Sequence, residues 1–191
     1  MEGILMNLPH NINSYYTETQ FEEIQSKFDG KAEYENGEIV LSSNTSIKHN
    51  SIKGNILASL IMYFKGSKCK PYDEQIEVIF KNESELHKYK PDVFVMCDNP
   101  EKQGESFISP PKIVFEIVSR STANHDYITK LYVYQKFGVL EYNIVEQNGF
   151  IVQYSLIDEQ YEITNTFKSG DVYKSSIFED LTIDLKDIFE E

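Results

Sequence analysis

The chain has 191 residues, 40% of them hydrophobic, enough to fill one good core, so a single domain over residues 1–191 is expected. No segment approaches the roughly 18 consecutive apolar residues of a membrane span, and Met1–His10 lacks a basic stretch followed by an apolar run, which predicts a soluble, cytoplasmic protein without a signal segment. With 18 basic against 31 acidic residues the net charge is −13, which argues against indiscriminate binding to nucleic acid, because phosphate affinity comes from clustered Lys and Arg.

Taken in order, residues 17–28 predict a short helix. Thr17 or Thr19 caps it, Phe21, Ile24 and Phe28 share a face, and Asp29-Gly30 ends it. Residues 32–35 and 38–41 flank Asn36-Gly37, a strong hairpin signal. Ser42–Ser46 reads as a polar turn, and from Ile47 the apolar residues Ile52, Ile56, Leu57, Leu60, Ile61 and Phe64 recur at helical spacing until Gly66. This second helix lies in a window, Ile39–Tyr72, that holds no Asp or Glu but contains Lys48, His49, Lys53, Lys65, Lys68 and Lys70; the acids gather instead after Ser155. Ordinary solvated faces account for such segregation as well as a binding surface does.

Residues 74–80 alternate as a strand, Lys81–His87 reads as a polar turn, and 91–96 as a buried strand. The proline-rich stretch 99–111 is expected to be loop, leading into a strand at 113–118. Ser119–Thr122 reads as a capping segment for a helix over 123–137 that Gly138 closes, and 141–146 as another strand. The spacing is that of a right-handed βαβ crossover, so strands 113–118 and 141–146 should be parallel neighbours. A hairpin about Asp158-Glu159 and a short acidic segment, 181–189, complete the chain. Cys69 and Cys97 lack the spacing of a zinc site or redox pair and read as free thiols.

Glu116 stands out. It is one carboxylate inside Ile113–Val118, on the same face as Val114 and Val118, and burying it ionised costs several kcal/mol unless it is paired or bound to a cation. Asp92 on the preceding strand could share a hard divalent cation with it, and Lys130 on the following helix could position a water, a set suited to phosphodiester hydrolysis. Plainer readings stay open: Asp126 and Lys130 as a surface i,i+4 pair, Asp92 as a turn cap, Glu116 as the partner of some lysine, and His49 and His125 as solvent-facing or capping residues.

Pro91-Asp92, then Phe115-Glu116-Ile117-Val118-Ser119-Arg120-Ser121-Thr122, then Asp126, Lys130 and Tyr134, and Gly138-Val139-Leu140-Glu141-Tyr142 together resemble the Uma-two family of restriction-endonuclease-like proteins, in the PD-(D/E)xK nuclease superfamily. Glu33 before Gly37, and His49, fit the same pattern. The resemblance implies an α+β fold, a mixed β-sheet flanked by helices, with an N-terminal helix and β-hairpin and a C-terminal β-hairpin. It also implies that Asp92 and Glu116 bind magnesium, with manganese as substitute and the Ile117 carbonyl as a further ligand. Glu33 would be an accessory acid, and Lys130 would replace the lysine whose usual position is Val118 here. Arg120, Asn143 and Glu146 depart from the family pattern.

The expectation is a magnesium-dependent endonuclease acting on DNA, with Lys48, His49 and Lys53 touching the backbone, and a homodimer because cutting a duplex needs two sites. The alternative is a non-catalytic scaffold or binding protein that keeps Asp92, Glu116 and Lys130 as a structural ion pair. A nuclease for RNA or for branched or damaged DNA is a third reading.

Overall fold

The computed structural model describes residues 15–42, 46–119 and 123–189. The expected turn over Ser42–Ser46 and the capping segment Ser119–Thr122 fall in part outside them. Helix α1 (Glu18–Lys27) opens on a capping box, Thr17 N donating to Gln20 Oε1 at 2.8 Å and Gln20 N to Thr17 Oγ1 at 3.3 Å. Strands β1 (Lys31–Glu35) and β2 (Glu38–Ser42) pair about Asn36-Gly37, both at positive φ as the tight turn requires. Helix α2 (Ile47–Tyr63) follows, capped by Ser46, whose hydroxyl accepts from His49 N at 3.1 Å.

Next come β3 (Cys69–Asp73), β4 (Val78–Lys81), β5 (Leu86–Tyr89) and β6 (Val93–Cys97). The strand expected over 74–80 is thus split. Asp73 makes a turn there, its carbonyl accepting from Ile76 N at 3.1 Å and its carboxylate from Gln75 N at 3.2 Å. The turn expected over 81–87 is shorter, because Leu86–Tyr89 pairs antiparallel with β4. That strand looks polar in sequence, yet His87 and Lys88 are buried. Lys88 is accommodated by Glu18 at 2.8 Å and Glu22 at 3.0 Å on α1, partners no local pattern announces.

The loop 99–111 contains a small hairpin, β7 (Lys102–Gln103) with β8 (Ser106–Phe107). Strand β9 (Ile113–Val118) leads to a π-helical turn over His125–Lys130, then helix α3 (Leu131–Lys136) and strand β10 (Glu141–Glu146), parallel to β9 as expected. The hairpin β11 (Phe150–Ile157) and β12 (Gln160–Lys168) turns at Asp158-Glu159. The acidic end is not one segment but strand β14 (Thr182–Asp184), paired with β13 (Val172–Lys174), and helix α4 (Leu185–Phe189).

Two six-stranded sheets result, ordered β2-β1-β5-β4-β8-β7 and β12-β11-β10-β9-β6-β3. One face of the second sheet presents Val93, Val95, Ile113 and Phe115 to Ile52, Ile56 and Leu60 of α2 and to Leu185 and Ile188 of α4. The other presents Phe94, Val114 and Ile144 to Val133 and Tyr134 and to Val78, Phe80 and Tyr89 of the first sheet. The alternation of β9 is therefore a sorting of side chains into two cores, which buries all six of its residues. Glu116 shares the face of Val114, toward α3.

The cysteines are not free thiols. Cys69 and Cys97 stand opposite each other on antiparallel β3 and β6, with Cα atoms 4.0 Å apart, and are joined in a disulfide. A separation of 28 residues hides a cross-strand pair from any reading of spacing. Among the described residues, no helix is long and apolar enough to cross a membrane.

Candidate active site

The two sheets meet where β5 runs into β6 through Lys90-Pro91-Asp92. The carboxylates gather at that crossing: Glu33 from β1 of the first sheet, Asp92 from the crossing itself, and Glu116 from β9 of the second. They lie in a groove of about 1070 Å³ whose walls include Lys31, His49, His125 and Lys130.

Each acid is held by partners from several elements. β6 pairs with β9 only as far as Val93 opposite Phe115, so Ile117 N finds no strand partner on that side and donates to Asp92 Oδ2 at 2.8 Å. His49, in the first turn of α2, places Nε2 3.1 Å from the same oxygen. Asp92 Oδ1 accepts from Lys31 Nζ at 3.0 Å, and Asp92 N donates to Glu116 Oε2 at 3.4 Å. Glu116 Oε1 accepts from Lys130 Nζ at 2.8 Å and from the Tyr134 hydroxyl at 2.7 Å. Glu33 Oε1 accepts from Lys90 N at 2.8 Å, while its Oε2 is 3.2 Å from Lys130 Nζ.

Lys130 faces inward because of the π-helical turn that carries it. The turn aims Asp126 and Lys130 at the sheet together, Asp126 Oδ1 3.5 Å from Lys130 Nζ and both residues buried. The pair is internal, where the i,i+4 spacing alone also allowed a surface pair. Tyr134, one turn on, reaches the same carboxylate.

The charges follow from burial and neighbours. Burial pushes the Glu116 carboxyl up to about 7, and Asp92 adds to the push, against the attraction of Lys130 and Lys31. For Asp92 its neighbours outweigh burial: the Lys31 ammonium and the hydrogen bond with His49 hold its carboxyl well below the usual range. Glu33 is likewise lowered, by Lys130, Lys31 and His125 against burial. Burial works against a charged Lys130, but Glu116, Glu33 and Asp126 together keep it cationic far above its ordinary range.

Asp92, Glu116, Lys130 and Glu33 are thus brought together, with Ile117 on the groove wall. His49 meets Asp92, where solvent or a cap was the sequence expectation, and Lys53 pairs with Glu74 on the turn after β3. Lys48 is exposed at the start of α2. Two members were not singled out from the sequence. Lys31 precedes an apolar-looking strand start and gives no signal. His125, read from the sequence as a solvent-facing or capping residue, bonds Glu35 through Nε2 at 3.1 Å and lies 3.9 Å from Glu33, partners some ninety residues away that no local pattern announces. Asn143 lies elsewhere, in a buried cluster where Glu141 also accepts from Ser175 and Ser176.

The Uma2 family model, described as "Putative restriction endonuclease", matches residues 19–186. The chain belongs to that family. A solved structure similar to this Uma2 chain is the crystal structure of a "putative nuclease belonging to DUF820" from Anabaena variabilis ATCC 29413, with 17% identity and a TM-score of 0.68 over 87% of this chain and 96% of that one. Likeness at that identity shows the fold, and the mixed sheets flanked by helices are those the sequence led us to expect. No curated protein matches the chain.

A divalent metal is what the family resemblance implies, and the oxygen donors are of the kind such an ion takes. Asp92 Oδ1, Glu116 Oε2 and Glu33 Oε1 are hard oxygens converging on one point, which the Lys31 ammonium takes at 3.0, 3.8 and 3.8 Å. Among the described residues no three His, Cys, Asp or Glu form a ready-made metal group.

Proposed function

We propose that this protein is a divalent-metal-dependent endonuclease hydrolysing DNA phosphodiester bonds, with Asp92 and Glu116 as metal ligands, Glu33 as accessory acid and Lys130 as the residue that positions water. The observation that carries the reading is the convergence of three buried carboxylates and an enclosed lysine, from both sheets and the π turn, at the floor of an open groove. A purely structural ion pair needs neither the third acid nor the groove. Membership of the Uma2 family supports the same chemistry.

Magnesium, or manganese in its place, would supply Lewis-acid polarisation of the phosphate and a more acidic bound water. The chain's own residues do the rest. His49 and the Ile117 amide fix the Asp92 carboxylate, and the Ile117 carbonyl is a candidate further ligand. Lys130, cationic and held by Glu116, Glu33 and Asp126, acts by orienting a water and neutralising charge that develops on phosphate, not by taking a proton. Lys48, exposed at the start of α2, would meet the DNA backbone, while His49 turns to Asp92 and Lys53 to Glu74. A homodimer would bring the two sites that cleavage of a duplex needs.

The test combines binding and activity. Manganese or magnesium should raise the melting temperature and support nicking of plasmid DNA, and Glu116→Ala should remove both effects. A metal-induced shift that survives Glu116→Ala refutes the assigned site. One observation favours a second reading, a non-catalytic scaffold: Lys31 and Lys130 between them already provide the acids with cations. Calorimetry showing no binding at millimolar magnesium would select it.

A further inference from the structure

Lys130 and Lys31 divide the acid cluster between them. Lys130 takes Glu116 Oε1 and Glu33 Oε2, while Lys31 takes Glu116 Oε2, Glu33 Oε1 and Asp92 Oδ1. The two ammoniums are not equally committed. The Lys130 side chain is 2% exposed and its closest contact is 2.8 Å. The Lys31 side chain is 19% exposed on the groove wall, with one contact at 3.0 Å and two at 3.8 Å. One lysine is enclosed, and the other keeps an open side toward the groove.

We propose that Lys31 is an exchangeable internal counter-ion: its ammonium fills the cation position among Asp92, Glu116 and Glu33 in the metal-free protein and yields it to a divalent ion. The inference rests on the reading of this cluster as a metal site and deepens it.

The physical argument has three steps. Buried carboxylates without a cation are costly, so a protein that must fold before it is loaded needs a place-holder. Lys31 meets that need with one hydrogen bond and two longer contacts on the oxygens the metal would use, so the place-holder and the metal cannot bind together. A divalent ion puts twice the charge on the same oxygens, and the displaced ammonium has a solvated groove to enter, so the exchange leaves no buried charge unpaired. Released along that wall, Lys31 stands where a substrate phosphate would pass, and one side chain serves the empty and the loaded states in turn.

The test is manganese and magnesium titration by calorimetry on the full chain, comparing the natural protein with Lys31→Met and Lys31→Arg. Lys31→Met removes the competitor, and its metal affinity should rise about tenfold or more. Its melting temperature should fall in EDTA and recover further on metal addition than that of the natural protein. Lys31→Arg, with a forked cation better suited to two carboxylates, should bind metal more weakly than the natural protein. Unchanged or weaker binding by Lys31→Met overturns the proposal while leaving the metal site standing. If the natural protein and Lys31→Met both fail to bind millimolar metal, the nuclease reading falls and the proposal with it. Should Lys31→Met fail to fold, Lys31→Arg decides: equal or tighter binding overturns the exchange.

Discussion

Glu116 and Asp92, neighbours across β6 and β9, are driven in opposite directions by one environment. Burial carries Glu116 from an ordinary value of 4.5 up to about 7, so between those values the folded protein holds a proton that the unfolded chain releases. Through this group the metal-free protein loses stability as pH rises from about 4.5 to about 7. Asp92 and Glu33 act with the other sign. Their lowered values contribute stability above the usual carboxylate range, and it is lost as pH falls through and below that range. On the proposed function, a metal would take the ionised form of Glu116, so binding below pH 7 would expel a proton. Magnesium affinity should rise about tenfold per pH unit between pH about 5.5 and about 7, then level off, as calorimetry in buffers of different ionisation enthalpy would show. A flat profile across that range would show that metal binding is not limited by protonation of Glu116. The sequence singled out this residue because a lone acid among β-branched neighbours is costly; it did not reveal Lys31, because a lysine at the start of a strand is ordinary until two sheets close over it.

At the scale of elements, the π-helical turn decides where Lys130 points. The expected helix over 123–137 was correct in extent, but an α-helical reading left Asp126 and Lys130 free to sit on the surface. Ile128, within the same turn, is 66% exposed. Deleting it should close the wide turn into an ordinary one and bring Asp126 and Lys130 to i,i+3 spacing, which shifts the buried lysine against Glu116 and Glu33. That deletion is expected to cost about 3–5 kcal/mol in chemical denaturation and to abolish the metal-induced melting shift, whereas Ile128→Ala should stay within about 0.5 kcal/mol. Equal, small losses in the two variants would show that the turn does not set the lysine. Strands β9 and β10, the Asn36-Gly37 hairpin and the hairpin of β11 and β12 were legible because their signals are local. Strand β5 was not, since Lys88 is tolerable in a buried strand only through Glu18 and Glu22, which are remote in sequence.

Over the whole molecule, the charge of −13 governs how the groove would meet DNA under the proposed function. A field of that sign repels phosphate, so binding to a duplex should depend on a divalent cation in the acid cluster. Fluorescence anisotropy with a labelled duplex should show binding in calcium, a ligand of the same oxygen chemistry, and at least tenfold less in EDTA. Comparable binding in both would place the DNA-binding surface elsewhere than the groove. Composition, hydrophobic period and turn chemistry determined, by themselves, the order of most elements, the parallel pair β9 and β10, and the acids at issue, because each rests on residues within one or two elements. Only the tertiary structure decided that Cys69 meets Cys97, that His49 turns inward, and that Lys31 shares Glu33 and Glu116 with Lys130. Those contacts are made between residues tens of positions apart, and for the charged ones the energy that selects them, the cost of leaving a buried charge alone, exists only once the sheets have packed.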